Sequence, residues 1–300
     1  MPGILDTIDG GLYVVSGGEY FKLMTFSDRE RAAHEAAMQA YRARDAAAAI
    51  PRNSLQHIFQ SEPPQAPAAP PAFSRREEMT PARNQGSRGT CTVFGTCSQH
   101  EFNWSRSRDF SEQYLYWGAK QIDNSSEGTW IKDSWASLLN RGTCRESTHP
   151  YTSTQPYPKW GGPDPAQTAH TDAANYKGKQ NWWINNTDTN LLKRCIHELG
   201  YVVTVQVTVW WSAWPSSGVV QMPTAAQIAD TQRILSSISV DGGSPSDGEH
   251  VICLCGYNDT TSRFEFKNSW GTGWGTSGFG SIPYDYIRQY ARDATVFQSA

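Results

Sequence analysis

The sequence predicts an α+β protein, and three stretches carry that prediction. From Thr92 to Trp104 the apolar residues Val93, Phe94, Cys97, Phe102 and Trp104 fall at helical spacing, which gives the broad apolar face of a core helix. Far downstream, Val251-Ile252-Cys253-Leu254-Cys255 is an unbroken apolar run rich in β-branched and small side chains, the pattern of a buried strand. Between residues 63 and 71 the run Pro-Pro-Gln-Ala-Pro-Ala-Ala-Pro-Pro can form neither helix nor central strand, so the chain divides there.

Ahead of that division, Leu12-Tyr13-Val14-Val15 and Tyr20-Phe21-Lys22-Leu23-Met24 flank Ser16-Gly17-Gly18-Glu19, a hairpin pattern with a short Gly-containing turn. Ser27-Asp28-Arg29-Glu30 is a capping box opening an Ala-rich helix that must end before Pro51. One hairpin and one helix bury too little to stand alone, so residues 1–62 should dock on something. Residues 63–72 form the linker. Past it, Gly128 to Asp133 followed by Leu138-Leu139-Asn140-Arg141-Gly142 reads as a loop and then a helix. Residues 210–248 read as an enlarged loop holding a helix from Thr224 to Ser236, with Thr224 and Gln227 as its capping box.

Composition narrows the function. A hydrophobic fraction of 38% and an aromatic fraction of 12% over 300 residues suit a globular enzyme. The net charge of −3 argues against nucleic acid as the partner, and Arg75-Arg76 is solvated surface rather than a phosphate site. No stretch approaches the roughly 18 to 20 apolar residues of a membrane span. The start Met1-Pro2-Gly3-Ile4-Leu5-Asp6 lacks a basic n-region and an apolar h-region, so the expected setting is cytoplasmic or within a larger protein assembly rather than signal-peptide export. Asn103, Asn124, Asn185 and Asn258 open Asn-Xaa-Ser/Thr matches, which mean nothing without secretion. Cys253 and Cys255 lie two apart in the predicted strand and share a face. With no second cysteine or histidine pair at metal-ligand spacing they read as core, and neither a metal nor another cofactor is expected. Trp182, Trp183, Trp210, Trp211 and Trp214 read as packing residues, and His197 as the outer face of a helix.

A different constellation carries chemistry. Gln85 stands six positions before Cys91, Glu249-His250 lies far downstream, and Asn268-Ser269-Trp270-Gly271-Thr272-Gly273-Trp274-Gly275 follows eighteen residues after the histidine. Alone, a cysteine is a small buried hydrophobe and a glutamine beside glycine is a turn residue. Together they supply a thiol, a base, an orienting amide and an oxyanion donor. Gly89-Thr90 breaks the chain just before Cys91, which puts the thiol at the positive end of the predicted helix, where a thiolate is favoured. His250 sits at the start of the predicted strand and is thereby held in place.

In order and spacing, this set resembles the papain-like cysteine proteases. Met79-Thr80-Pro81-Ala82-Arg83, Ser111-Glu112-Gln113 and Gly256-Tyr257 extend the resemblance over about residues 73–290. It implies a two-lobed fold, with a helical left lobe from about 84 to 180, an antiparallel right lobe, and the cleft between Cys91 and His250. Residues 73–300 would be the peptidase domain and a polypeptide the substrate, hydrolysed by an endopeptidase through a thioester acyl-enzyme on Cys91. His250 would act as base, Asn268 would fix its tautomer, and Gln85 with the Cys91 N–H would hold the oxyanion. Trp270 would cover the His–Asn bond, supported by Trp274 and Glu249, while Glu127, Gly128 and Thr129 would border the substrate.

Two positions depart from the family. Arg88 replaces the disulfide cysteine of the secreted members, which places the chain nearer bacterial-type members without that framework, and Thr92 stands where tryptophan is usual. Residues 1–62 match no helical inhibitory prosegment, so they are either a prosegment on the lobes or a module that docks a protein partner. The alternative to an enzyme is a papain-like fold kept as a structural or binding component of a larger assembly.

Overall fold

The computed structural model describes residues 4–8, 11–16, 19–47, 70–104, 106, 108–123, 127–153, 162–237 and 248–299. The predicted hairpin is present as β2 (Gly11–Ser16) against β3 (Glu19–Lys22), with Tyr13 opposite Lys22 and Ser16 opposite Glu19. An unpredicted strand, β1 (Ile4–Ile8), completes an antiparallel meander on the other side of β2. Leu12 and Val14 of β2, two apart and so on one face, enter the largest apolar cluster of the molecule together with Phe21 and Leu23. Helix α1 (Asp28–Ala47) follows. Its capping box forms as expected: Ser27 N donates to Glu30 Oε2 at 2.8 Å, and Glu30 N donates to Ser27 Oγ at 3.3 Å. Its buried positions Arg31, His34 and Met38 share one face at helical spacing. The stretch 48–69, with most of the proline-rich run, lies outside the described residues.

The helical lobe contains α2 (Cys91–Asn103), α3 (Glu112–Lys120), α4 (Ile131–Asn140) and α5 (Gln167–Ala173). Helix α2 is buried on all sides from Cys91 to Glu101, so it is the central element. Gly95 lets it close on the sheet, because a Cβ there would lie 2.7 Å from Val251 Cγ1. Gln99 Nε2 donates to the carbonyls of Val202 at 2.6 Å and Thr295 at 3.0 Å, which satisfies a polar group the core could not otherwise hold.

The second lobe is an antiparallel sheet. Its elements are β4 (Ala72–Ser74), β5 (Gly178–Trp183), β6 (Val203–Thr208), β7 (Glu249–Asn258), β8 (Arg263–Lys267), β9 (Phe279–Pro283) and β10 (Ala291–Ser299). They run in the order β5-β10-β6-β7-β8-β9, with β4 also on β7, and α6 (Thr189–His197), α7 (Ala225–Leu235) and α8 (Tyr284–Tyr290) complete the described α-helices. The expected capping box of α7 is present at Thr224 and Gln227, and part of the surrounding loop, 238–247, lies outside the described residues. Trp182, Trp210 and Trp214 are buried, while Trp183 and Trp211 pack partly buried against the core. Cys253 and Cys255 share one apolar cluster, and His197, half-buried at the end of α6, meets the Phe73 ring edge-on.

Candidate active site

Cys91 opens α2 and is fully enclosed by Met24, Phe26, Trp130, Ile131 and Val251. Burial pushes its thiol up to about 12, with backbone groups of Val251 and Thr92 opposing the rise and Glu249 adding to it. His250, second residue of β7, donates from Nε2 to Asn268 Oδ1 at 2.7 Å. Because a carbonyl oxygen can only accept, this bond fixes the tautomer and leaves the lone pair of the neutral ring on Nδ1. That Nδ1 is buried and has no hydrogen-bond partner among the described residues. Burial lowers the His250 pKa to about 4, against the raising effect of Asn268. Asn268 is itself oriented, since its Oδ1 also accepts from Ser269 N at 2.8 Å. Trp270 lies over the histidine with ring centroids 4.8 Å apart, Trp214 meets the same ring edge-on at 6.0 Å, and Trp274 packs edge-on to Trp270 at 5.4 Å.

Gln85 reaches the same place from the other lobe. Its Oε1 accepts from Ser269 Oγ at 2.6 Å, and its Nε2 donates to Arg88 O at 2.8 Å and to Lys22 O at 3.0 Å. Ser269 therefore links the amide predicted to bind an oxyanion to the residue beside Asn268. Sequence reasoning passed over Ser269, although its place between Asn268 and Trp270 was the available signal.

The carbonyl of Lys22 belongs to the amino-terminal segment, and the segment fills the cleft. Met24 forms an antiparallel bridge with Glu249, N to O at 3.0 Å and O from N at 2.8 Å. Phe21 stacks on Trp270 at 5.2 Å, and Phe26 and His34 stack on Trp130 at 3.8 and 4.0 Å. Three basic side chains of the segment meet carboxylates of the body: Lys22 pairs with Glu127, Arg31 with Glu249, and His34 Nε2 lies 2.7 Å from Asp293 Oδ2. These partners are separated by more than a hundred residues, and no local pattern announces them.

The three residues expected to border substrate lie under this segment. Glu127 accepts from Gly89 N at 3.1 Å through Oε1 while Oε2 meets Lys22. Gly128 adopts φ +119°, a conformation that only glycine holds without strain, and a Cβ there would lie 3.4 Å from Met24 and 3.5 Å from Phe26. Thr129 offers its carbonyl to Thr92 Oγ1 at 2.8 Å. The family departures are thereby accounted for. Thr92 Oγ1 also lies 3.0 Å from Met24 Sδ, so its small side chain leaves room for the segment. Arg88 is buried beneath the loop, where Nη1 donates to Gln113 Oε1 at 2.6 Å and Thr152 O at 2.9 Å and the guanidinium lies over the Tyr116 and Tyr151 rings. All six cysteines are unbridged and buried.

Comparison with known proteins identifies the family and the fold. The chain is 25% identical over 225 residues to an uncharacterized peptidase C1-like protein of Acanthamoeba polyphaga mimivirus, covering 68% of this chain and 64% of that protein. It is 26% identical over 243 residues to cysteine proteinase 1 of Dictyostelium discoideum, covering 73% and 61%. The match thus spans less than two thirds of the length of these relatives. Among solved structures, xylellain, a cysteine protease from Xylella fastidiosa, superposes with a TM-score of 0.65 at 23% identity, over 78% of this chain and 87% of that one. The proform of Amb a 11, a ragweed pollen cysteine protease, gives a TM-score of 0.59 at 16% identity, over 82% and 70%. Residues 69–294 match the family described as Papain family cysteine protease, and the chain belongs to that family.

Proposed function

We propose that the chain is a cysteine peptidase in a self-occluded state, with residues 73–300 as the peptidase domain, residues 1–62 as a regulatory segment and residues 63–72 as the linker between them. The observation that carries the chemistry is the His250 Nε2 bond to Asn268 Oδ1, which supports Nδ1 as the basic nitrogen. In the open form Cys91 gives its proton to Nδ1, and the thiolate attacks the scissile carbonyl carbon. The oxyanion takes hydrogen bonds from Gln85 Nε2 and the Cys91 N–H, the donor positions expected of such a hole. Collapse expels the amine, which leaves with the proton from His250, and forms a thioester on Cys91. Water, deprotonated by His250, then releases the acid and restores the thiol.

The closed form supports a resting enzyme on electrostatic grounds. With Cys91 pushed up to about 12 and His250 lowered to about 4, thiol and imidazole both stay neutral at neutral pH. Lys22 O, meanwhile, uses a hydrogen-bond donor of Gln85 that substrate would need. Residues 19–38 turn their buried side chains toward the cleft, which favours a regulatory segment over a module that recruits another protein.

Alkylation followed by mass spectrometry tests this reading. An open site should show selective modification of Cys91 at mildly acidic pH, where an ordinary thiol of pKa about 8.5 is protonated. Equal labelling of Cys91, Cys97 and Cys144 would overturn the assignment, as would peptidase activity that survives Cys91→Ala. Gln85→Ala should lower kcat by roughly a hundredfold with little change in KM, because its bond strengthens as the oxyanion forms.

A further inference from the structure

The two groups assigned to the oxyanion sit at opposite ends of one loop. Gln85 opens it, and Cys91, whose N–H is the second donor, follows its last residue, Thr90. Gly86 and Gly89 lie between them, and glycines so close together leave that backbone soft. Oxyanion stabilisation needs its donors held to within about 0.5 Å, so the spacing of the two ends has to be fixed from outside the loop. Ser269 holds the first end, through its hydroxyl on the Gln85 amide and through its carbonyl, which accepts from Gln85 N at 2.8 Å. Those bonds do not reach Thr90.

Tyr151 touches both ends. Its hydroxyl donates to Gln85 O at 2.9 Å, and the same oxygen lies 2.6 Å from Thr90 Oγ1. A phenol has one proton to give, so with that proton on Gln85 O the second bond runs from the Thr90 hydroxyl to Tyr151 Oη. Thr90 shows what the contact displaces. It is the N-cap residue of α2, where a threonine side chain ordinarily accepts from an N–H of the first turn, and here the side chain makes no such bond. The hydroxyl that would cap the helix is turned to Tyr151 instead. Tyr151 is itself held: its N–H donates to Glu146 Oε1 at 2.8 Å, its ring meets Phe94 of α2 edge-on at 4.9 Å, and the Arg88 guanidinium lies 5.0 Å from its centroid. The next residue, Thr152, accepts from Arg88 Nη1, so the middle of the loop is gripped from the same stretch of chain.

We propose that Tyr151 and Thr90 are positioning residues for peptide hydrolysis, the Tyr151 hydroxyl fixing the separation of Gln85 Nε2 and the Cys91 N–H so that both meet the developing oxyanion. The inference rests on the peptidase reading above. Neither residue touches substrate or exchanges a proton with it, and their effect belongs to the transition state because that is where the oxyanion forms.

The test uses the full chain carrying Arg31→Glu as parent, a change that sets like charges against Glu249 to open the cleft. The best-cut member of a set of fluorogenic peptides gives kcat and KM, and iodoacetamide labelling of Cys91 is followed in parallel. Tyr151→Phe keeps the ring and removes the bridge; it should lower kcat about tenfold with KM unchanged, while labelling, which forms no oxyanion, proceeds at the parent rate. Thr90→Val should lose as much, and Thr90→Ser, which keeps the hydroxyl, should recover most of that loss. Tyr151→Phe added to Gln85→Ala should cost clearly less than it does alone, because one of the donors it positions is already gone. Unchanged turnover in Tyr151→Phe, a loss carried by KM, or an equal loss of labelling overturns the role. Labelling of Cys91 without cleavage by the parent overturns the peptidase reading instead, and the role with it. Should the parent resist label and substrate alike, hydrogen exchange decides on the wild-type chain, where Gly89 N donates to Glu127 Oε1 and Thr90 N to Arg88 O. Tyr151→Phe must then speed exchange at these two amides about tenfold with α3 and β7 unchanged, and equal exchange refutes the clamp.

Discussion

Cys91 lies where two seams meet, and they are built on different physics. Between α2 and strands β6 and β7 the contact is apolar and tight: Val93, Phe94 and Cys97 are buried, Gly95 is pressed on Val251, and Thr204 Oγ1 donates to Gly95 O at 3.2 Å. Between residues 19–38 and the cleft the contact is ring stacking, one backbone bridge and charge pairs, with an open pocket of about 300 Å³ at its edge. A seam of the first kind separates only when the protein unfolds, because its free energy lies in buried surface and close fit. A seam of the second kind depends on ionisation states and can part while both sides remain folded.

Charge reversal should break the second seam hardest. Arg31→Glu faces the enclosed Glu249 with a like charge, and disruption of a buried pair typically costs about 3 to 5 kcal/mol, so the segment should lose its hydrogen-exchange protection while the body keeps its own. The matching attack on the first seam is Gly95→Val. Its Cβ would overlap the stiff Val251 side chain, and overpacking of about 1 to 3 kcal/mol should lower the melting temperature of the whole body instead of freeing the segment.

Acidity should separate the seams next, and its sign differs at the two ends. His250 has its pKa lowered from 6.5 to about 4 in the closed form, so the open form binds more protons between those values. The stabilisation of closure is complete above pH 6.5 and fades as pH falls toward 4, by at most roughly 3 kcal/mol. Cys91, raised to about 12 in the closed form, stays protonated there at pH values where the open thiol ionises, so its contribution to closure fades toward alkaline pH. Closure should therefore weaken toward both acidic and alkaline pH. The rate of Cys91 alkylation corrected for thiolate fraction reports it, and a corrected rate that does not change with pH would refute the coupling. The smallest effect belongs to Lys22→Ala: that pair with Glu127 is partly exposed, and its loss should weaken docking by only about 0.5 kcal/mol in a protease-protection assay.

The two seams also differ in how far the sequence disclosed them. Helix α2, the strand carrying His250 and both capping boxes announce themselves through periodicity and short motifs, and Gln85, Cys91, His250 and Asn268 through order and spacing. The observed helix begins at Cys91, one residue before the predicted start, because the chain already turns at Thr90. The docking seam was legible only as a need: too small a core in residues 1–62 implied that they must rest on something. Where they rest is decided by pairs such as Arg31 with Glu249 and His34 with Asp293, 218 and 259 residues apart, for which no spacing rule exists. Strand β1 escaped notice because Ile4-Leu5-Asp6-Thr7-Ile8 does not alternate, and Asp293 because a polar residue within a strand ordinarily faces water.

The contacts over the cleft are all noncovalent, and this bears on what a cut between Ala47 and Pro70 would achieve. Such a cut removes no contact of residues 19–38; it only turns an intramolecular association into a bimolecular one. While tethered by a short linker the segment sees the cleft at an effective concentration in the millimolar range, and once severed it competes at its own bulk concentration. Nicked protein should then stay closed when concentrated and open on dilution. Its activity per molecule would rise as the sample is thinned, and added free segment would reverse the gain.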